Sequence, residues 1–164
     1  MSCQDDSTRV QYIKASALRK SDSQSYEGLI NKIKEKLNFI CQDYPDHRKW
    51  FKDKVVVGIS NGTREIIACN INDNLAGVTI LKHTSEEAKI CTLYVSEHYR
   101  GKGIASSLLE RSFKYLGTTK PVITMSSDKV AQFNDFINRY EWKETRRVKD
   151  MYRKDSIEVI FNSK

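Results

Sequence analysis

Residues Arg100-Gly101-Lys102-Gly103-Ile104-Ala105 bring two cations and two glycines together directly before a segment with helical spacing. At a helix start several backbone N–H groups lack an intrahelical partner, and the helix dipole is positive there. Glycines keep side chains out of the way, so an anion can approach the backbone. Arg100 and Lys102 add charge, and the combination is the physics of a phosphate or diphosphate site. Two common versions of such a site do not fit. The Walker loop needs Ser or Thr after its lysine, whereas Lys102 precedes Gly103. The dinucleotide fingerprint needs a third glycine where Ser106 stands, and the first strand of its βαβ unit is missing. Gly-x-Gly alone is equally compatible with a bare turn.

The neighbouring elements must position this loop. Before it, "EAKICTLYV" (Glu87 to Val95) reads as a strand. After it, Ala105, Leu108, Leu109, Ser112, Phe113 and Leu116 form one helical face, with Gly117 as the stop. Further upstream, "RVQYIK" (Arg9 to Lys14) alternates as a first strand. Ser21 and Gln24 have the spacing of a capping box. The helix it predicts carries an apolar stripe through Tyr26, Leu29, Ile30, Ile33, Leu37, Ile40, Cys41 and Tyr44, and ends at Pro45. "HRKWFKDK" (His47 to Lys54) reads as a short helix. "REIIACNI" (Arg64 to Ile71) and "LAGVTILK" (Leu75 to Lys82) read as strands joined by the turn "NDN". With the strand ending at Val95 they predict an antiparallel meander. "PVITMS" (Pro121 to Ser126) reads as a strand, Asp128 to Trp142 as a helix, and "TRRVKDMYRK" and "SIEVIF" as two final strands. The order β-α-α-β-β-β-α-β-α-β-β specifies an α+β fold, a mixed, mostly antiparallel twisted sheet with helices on both faces.

A chain of 164 residues fits one domain over residues 1–164, with 1–8 expected as a flexible tail. The formal net charge of +7 favours an anionic partner: a phosphate-bearing cofactor, an acidic substrate or RNA. No apolar run approaches the roughly 20 residues of a membrane span. The acids of "MSCQDDSTR" stand where a signal peptide would be basic and apolar, so a cytoplasmic protein is expected. Cys3, Cys41, Cys69 and Cys91 form no C-x-x-C pair and are expected as reduced thiols. His47, His83 and His98 are scattered, and no metal site is expected.

The stretch "LYVSEHYRGKGIASSLL" (Leu93 to Leu109) resembles the signature of the GNAT superfamily of acyl-CoA-dependent N-acetyltransferases. Its R/Q-x-x-G-x-G/A motif is met by Arg100, Gly103 and Ala105, and its L-x-V strand end by Leu93 and Val95. The element order is similar to that fold too. The resemblance implies acetyl-CoA as acyl donor and no metal. It implies that Arg100, Gly101, Lys102, Gly103, Ile104, Ala105 and Ser106 hold the CoA diphosphate, largely through backbone N–H groups. Leu93, Tyr94 and Val95 would pair their backbone with the pantetheine arm. The thioester would sit where this strand splays from Pro121–Ser126, with a nearby backbone N–H stabilising the developing oxyanion.

Many relatives carry a tyrosine acid in a segment like F-Y-x-x-x-G-F. In "FINRYEW" (Phe136 to Trp142), Ile137 takes the tyrosine position and Glu141-Trp142 replaces Gly-Phe. Substitutes for proton transfer are Tyr140, Tyr94 beside Thr92, Ser126 beside Ser127, and Glu87 as a base. A thiolate can also leave unassisted. The long region 15–63, with Tyr44, His47, Trp50 and Phe51, is where such folds usually set acceptor specificity. "KETRRVKDMYRK" (Lys143 to Lys154) sets six basic residues against two acids, suited to RNA, an acidic partner or a solvated strand pair. The expected activity is acetyl transfer to a primary amine of a small metabolite, peptide or protein, by a monomer or homodimer with no membrane association. Two alternatives stay open: a toxin acetylating aminoacyl-tRNA, and a non-catalytic CoA- or RNA-binding module.

Overall fold

The structure, a computed structural model, describes residues 8–42 and 44–164. Seven strands form one sheet: β1 Val10–Lys14, β2 Arg64–Ile71, β3 Asn74–His83, β4 Ala88–Val95, β5 Val122–Ser126, β6 Glu144–Lys149 and β7 Ile157–Phe161. Their spatial order is β1-β2-β3-β4-β5-β7-β6. Every neighbouring pair is antiparallel except β4 and β5, which run parallel. The β2–β3 turn takes Asn72 and Asp73 to φ 50° and 67°, the left-handed pair whose twist suits a tight hairpin. The architecture is the mixed, mostly antiparallel α+β sheet read from the sequence.

The helices depart from the sequence reading in their extents. A short α1, Ala15–Ser21, follows β1 directly. Its first turn is held from another strand, because Ser16 N–H donates to Glu65 Oε1 of β2 at 3.0 Å. Ser21 ends α1, its hydroxyl donating to Leu18 C=O at 3.4 Å, and does not cap α2. The cap of α2, Ser23–Lys36, is Asp22, whose Oδ1 accepts from Ser25 N–H at 3.1 Å. This helix buries Tyr26, Leu29, Ile30 and Ile33, then stops at Lys36 rather than near Tyr44. A tighter 3₁₀ turn, Asn38–Gln42, takes over, and Ile40 N–H donates to Leu37 C=O at 3.0 Å. Leu37 and Ile40 are three apart, so a three-residue turn carries the apolar stripe onward. The helix expected over His47–Lys54 continues to Asn61: α3 His47–Trp50, a π turn Phe51–Val56, and α4 Val57–Asn61. Phe51, Val55 and Ile59 are buried along one side of it. The helix expected over Asp128–Trp142 is a 3₁₀ segment, Ser127–Phe133, followed by a short α6, Asn134–Arg139. "TRRVKDMYRK" is strand only to Lys149; Asp150 and Asp155, both at positive φ, bracket a loop that returns the chain to β7.

Two cores flank the sheet. α5, Ile104–Leu116, packs Leu108 and Leu109 against Leu81 and Val159 on one face. On the other face α1 to α4 cover Ile66, Val78 and Ile80. Gly77 of β3 lies tightly under the start of α5. A Cβ there would meet Leu108 Cδ1 at 3.0 Å and the Tyr94 carbonyl oxygen at 3.1 Å. Cys69 is a buried free thiol and Cys91 a partly buried one. Cys3 and nearly all of the expected tail lie outside the described residues, as does the side chain of Cys41. Among the described residues no helix is long and apolar enough to cross a membrane, and no cluster of His, Cys, Asp or Glu could hold a metal ion.

Candidate active site

The glycine loop is built between β4 and α5. Ser96 N–H donates to Ala76 C=O at 2.8 Å, fixing the strand end, and Glu97–Tyr99 make one 3₁₀ turn. Arg100 Nε donates to Val95 C=O at 3.1 Å, so this side chain ties the loop to its own strand. Gly101 and Gly103 sit at φ 77° and 79°, which a residue with a Cβ adopts only with strain. Gly103 caps α5 without a side-chain hydrogen bond. Among the described residues, no hydrogen bond uses the backbone N–H of any residue from Gly101 to Ser106. Six consecutive unused donors at a positive helix end suit an anion and make this loop the candidate cradle. Lys102 holds its ammonium 5.7 Å from the Tyr99 ring centre, beside this cradle.

The sheet comes apart beside the loop. β4 and β5 pair only at Lys89↔Val122 and Ile90↔Ile123. Immediately beyond, β4 carries a bulge at Cys91, where Ile80 pairs with Thr92 and Leu81 with Ile90. The bulge bends the strand and ends its approach to β5. A cleft of about 570 Å³ fills the opening, lined by Ile90–Leu93 of β4 and Ile123–Ser126 of β5. It reaches both faces of the sheet. On the α5 face lie Leu109, Phe133 and Trp142; on the other lie Tyr44, His47, Trp50, Tyr152 and Glu158.

Glu158 is the notable group on that second face. It belongs to β7, pairs in register with Ser126 of β5, and is 1% exposed. Tyr44 O–H donates to its Oε1 at 3.1 Å. Burial pushes its carboxyl above the usual carboxylate range, partly offset by the Tyr44 bond and by Arg153 and Lys129. Tyr152 stacks edge-on to Tyr44, with ring centres 5.5 Å apart. Its phenol is pushed up by burial and then by the Glu158 charge. His47 has a buried Nε2 with no hydrogen bond among the described residues, and burial lowers its pKa, favouring the neutral imidazole. Cys91 accepts from Arg64 Nη1 at 3.3 Å, and burial raises its thiol pKa.

The side chains singled out for proton transfer are dispersed. Ser126 lines the cleft, 4% exposed, but its hydroxyl donates to the Asp128 carboxylate. Tyr94 points to the face opposite Leu93 and Val95, with its ring 5.5 Å from Phe39. Glu87 is ion-paired with Lys82 at 2.9 Å and does not line the cleft. Tyr140 packs on Phe113 and Trp142 outside the cleft, and Ile137 packs against the same core. Of the region 15–63, Tyr44, His47 and Trp50 line the cleft, whereas Phe51 is 2% exposed in the second core. Glu158 was not anticipated. The one signal for it is a lone charge inside the otherwise apolar run "SIEVIF".

The sequence model of the acetyltransferase (GNAT) family matches residues 26–125, more than half of the chain. The chain belongs to that family. A search of curated proteins gives no match. Among solved structures, a GNAT-family protein from Desulfovibrio desulfuricans superposes with TM-score 0.65 at 14% identity, over 93% of this chain and 97% of that one. Naa50 of Arabidopsis thaliana, in complex with the bisubstrate analogue CoA-Ac-MVNAL, gives TM-score 0.54 at 19% identity, over 68% and 81%. A GNAT family acetyltransferase from Elizabethkingia anophelis with acetyl-CoA bound gives 0.51 at 17% identity, over 67% and 82%.

Proposed function

We propose that the protein transfers an acetyl group from acetyl-CoA directly to a primary amine. The observation that carries this is the opening between β4 and β5, which holds a buried carboxylate and lies along the strand that leads into the glycine loop. The residues fit the donor. Backbone N–H groups of Gly101 to Ser106, with Lys102 beside them, suit a diphosphate. The edge of β4 at Leu93, Tyr94 and Val95 leaves backbone groups on the β5 side for an amide-bearing arm. Solved family members carrying acetyl-CoA or a CoA conjugate support the same donor.

Bound acetyl-CoA supplies an acyl group already activated as a thioester. The protein's task is to bring in an unprotonated nitrogen. An alkyl amine has a pKa near 10.4, so it arrives as ammonium. Glu158 attracts that cation and takes a proton from it, and its raised pKa makes it a better base than an exposed carboxylate. The nitrogen then bonds the acyl carbon, and the carbon–sulfur bond breaks with its electron pair going to sulfur. The ammonium loses two protons in all. One passes through Glu158 to water, and the other ends on the departing sulfur. Tyr44 holds Glu158 in place through its hydrogen bond.

Two measurements test this reading. Acetyl-CoA should raise the melting temperature by mass action. A panel of primary amines should release free thiol from acetyl-CoA. A folded protein showing no shift fails as a CoA binder, and a shift without thiol release on any amine fails as a transferase.

A further inference from the structure

Cross-strand register aligns three cations on the face of the sheet that carries Glu158. Arg64 of β2 lies opposite Lys82 of β3, and Lys82 lies opposite Lys89 of β4. Adjacent strands are about 4.8 Å apart, so the row crosses about 10 Å of sheet. All three residues line the cleft. Like charges set directly opposite one another weaken a sheet. Among the described residues the row has one paired acid, Glu87, bound to Lys82 at 2.9 Å. Arg64 turns to uncharged partners, the Cys91 sulfur at 3.3 Å and the Trp50 ring at 5.8 Å. The Lys89 side chain makes no hydrogen bond or ion pair among the described residues.

This row is separate from the diphosphate cradle. Val95 is six residues along β4 from Lys89, about 20 Å of extended chain at roughly 3.3 Å per residue. Its relation to Glu158 is closer. Lys89 is level with Val122 of β5, and Glu158 is level with Ser126, four residues further along. That is about 13 Å of strand, and lysine and arginine side chains can span much of it. An amine at Glu158 would therefore extend its other end toward the row.

We propose that the acceptor carries an anionic group, a carboxylate or phosphate monoester, held by Arg64, Lys82 and Lys89 while its amine faces Glu158. This rests on the acetyl transfer proposed above. The cleft acids on this face are Glu158 and Asp46, and the cations are Arg64, Lys82, Lys89 and Lys129; with Glu87 set against Lys82 the cations still outnumber the acids, which suits a substrate with an anionic end.

Matched amines test it: β-alanine against β-alaninamide for a carboxylate, and O-phosphoethanolamine against ethanolamine for a phosphate. Thiol release from acetyl-CoA gives kcat/KM for each, and calorimetry with saturating CoA gives equilibrium binding. At least one anionic member should exceed its neutral partner by roughly tenfold or more, the weight of one charge-assisted hydrogen bond. Lys89→Gln should erode that ratio through KM, and Lys89→Arg should keep it. Equal use of both members of both pairs overturns the proposal. So does an unchanged ratio in folded Lys89→Gln and Lys82→Met. If no amine releases thiol although acetyl-CoA raises the melting temperature, the transfer reading fails and calorimetry decides the anion site. Binding of O-phosphoethanolamine or β-alanine that weakens in Lys89→Gln supports the site, and no binding of either overturns it.

Discussion

Replacing Glu158 by Gln removes the proposed base while keeping its shape. Gln can still accept the Tyr44 hydroxyl through its carbonyl oxygen, so the 3.1 Å contact and the β5–β7 register have no steric reason to change. The chemical loss should be large. A positioned base contributes about 10²- to 10⁴-fold, or about 3 to 5 kcal/mol of barrier. The pH profile separates this from a packing defect. Burial raises the Glu158 pKa, so in the wild type kcat/KM should rise through an inflection above the ordinary carboxylate range, as the base deprotonates. That limb should vanish in Glu158→Gln. Stability should move the opposite way. Between the unfolded carboxyl pKa and the raised folded one, the native state holds a proton that the unfolded chain has lost. Stability from this group is thus full below the window and falls as pH rises through it. Glu158→Gln should abolish that fall, so its melting temperature should gain on the wild type above the window. Steady-state thiol release from pH 5 to 9, beside thermal denaturation over the same range, reads both effects. A variant within about threefold of wild type with the acidic limb intact would refute the assignment of the base.

Two glycines provide further checks. Gly103→Val puts a β-branched residue at φ 79° with no atom within 4 Å of the new Cβ, so its cost of about 1–2 kcal/mol is conformational rather than steric. Acetyl-CoA affinity by calorimetry should fall by roughly an order of magnitude, and Gly103→Asn, which tolerates that backbone region, should recover most of it. Gly77→Ala should lower stability by about 1–3 kcal/mol through overpacking against Leu108 and the Tyr94 carbonyl, seen as a lower denaturation midpoint.

What the sequence made legible was local. The cradle is one strand end, two glycines at positive φ and one amphipathic helix, all within about twenty consecutive residues, so types and spacing suffice to find it. The β2–β3–β4 meander was legible because "NDN" is a turn by composition and its strands are dense in β-branched residues. The extents of the helices were not. α1 is held by Glu65, forty-nine residues from Ser16, and no local pattern announces a cap supplied by another strand. "VVVGI" has strand-like composition, yet burial of Val55 and Ile59 keeps it helical. Glu158 was invisible for a related reason. Its chemistry comes from burial and from Tyr44, 114 residues away in sequence, and both are products of the assembled sheet. Helical spacing makes Tyr44 the end of the apolar stripe and composition makes it a pocket aromatic, but its bond to Glu158 depends on the chain leaving that helix at Lys36.

The two-residue pairing of β4 with β5 also bears on solubility. Strand edges usually lie at the rim of a sheet, where charge, brevity or bulges keep other chains from pairing with them. Here a sheet that is continuous by order contains two edges in its middle, beyond Ile90 on β4 and beyond Ile123 on β5. The Cys91 bulge and the depth of the cleft guard them, and an amide-bearing donor arm lying between them would cover both. Such an arm would act as a removable stave, and protein without it should be the more prone to edge-to-edge aggregation. Recovery from denaturation and shelf life should both depend on the concentration of a molecule that is consumed at every turnover.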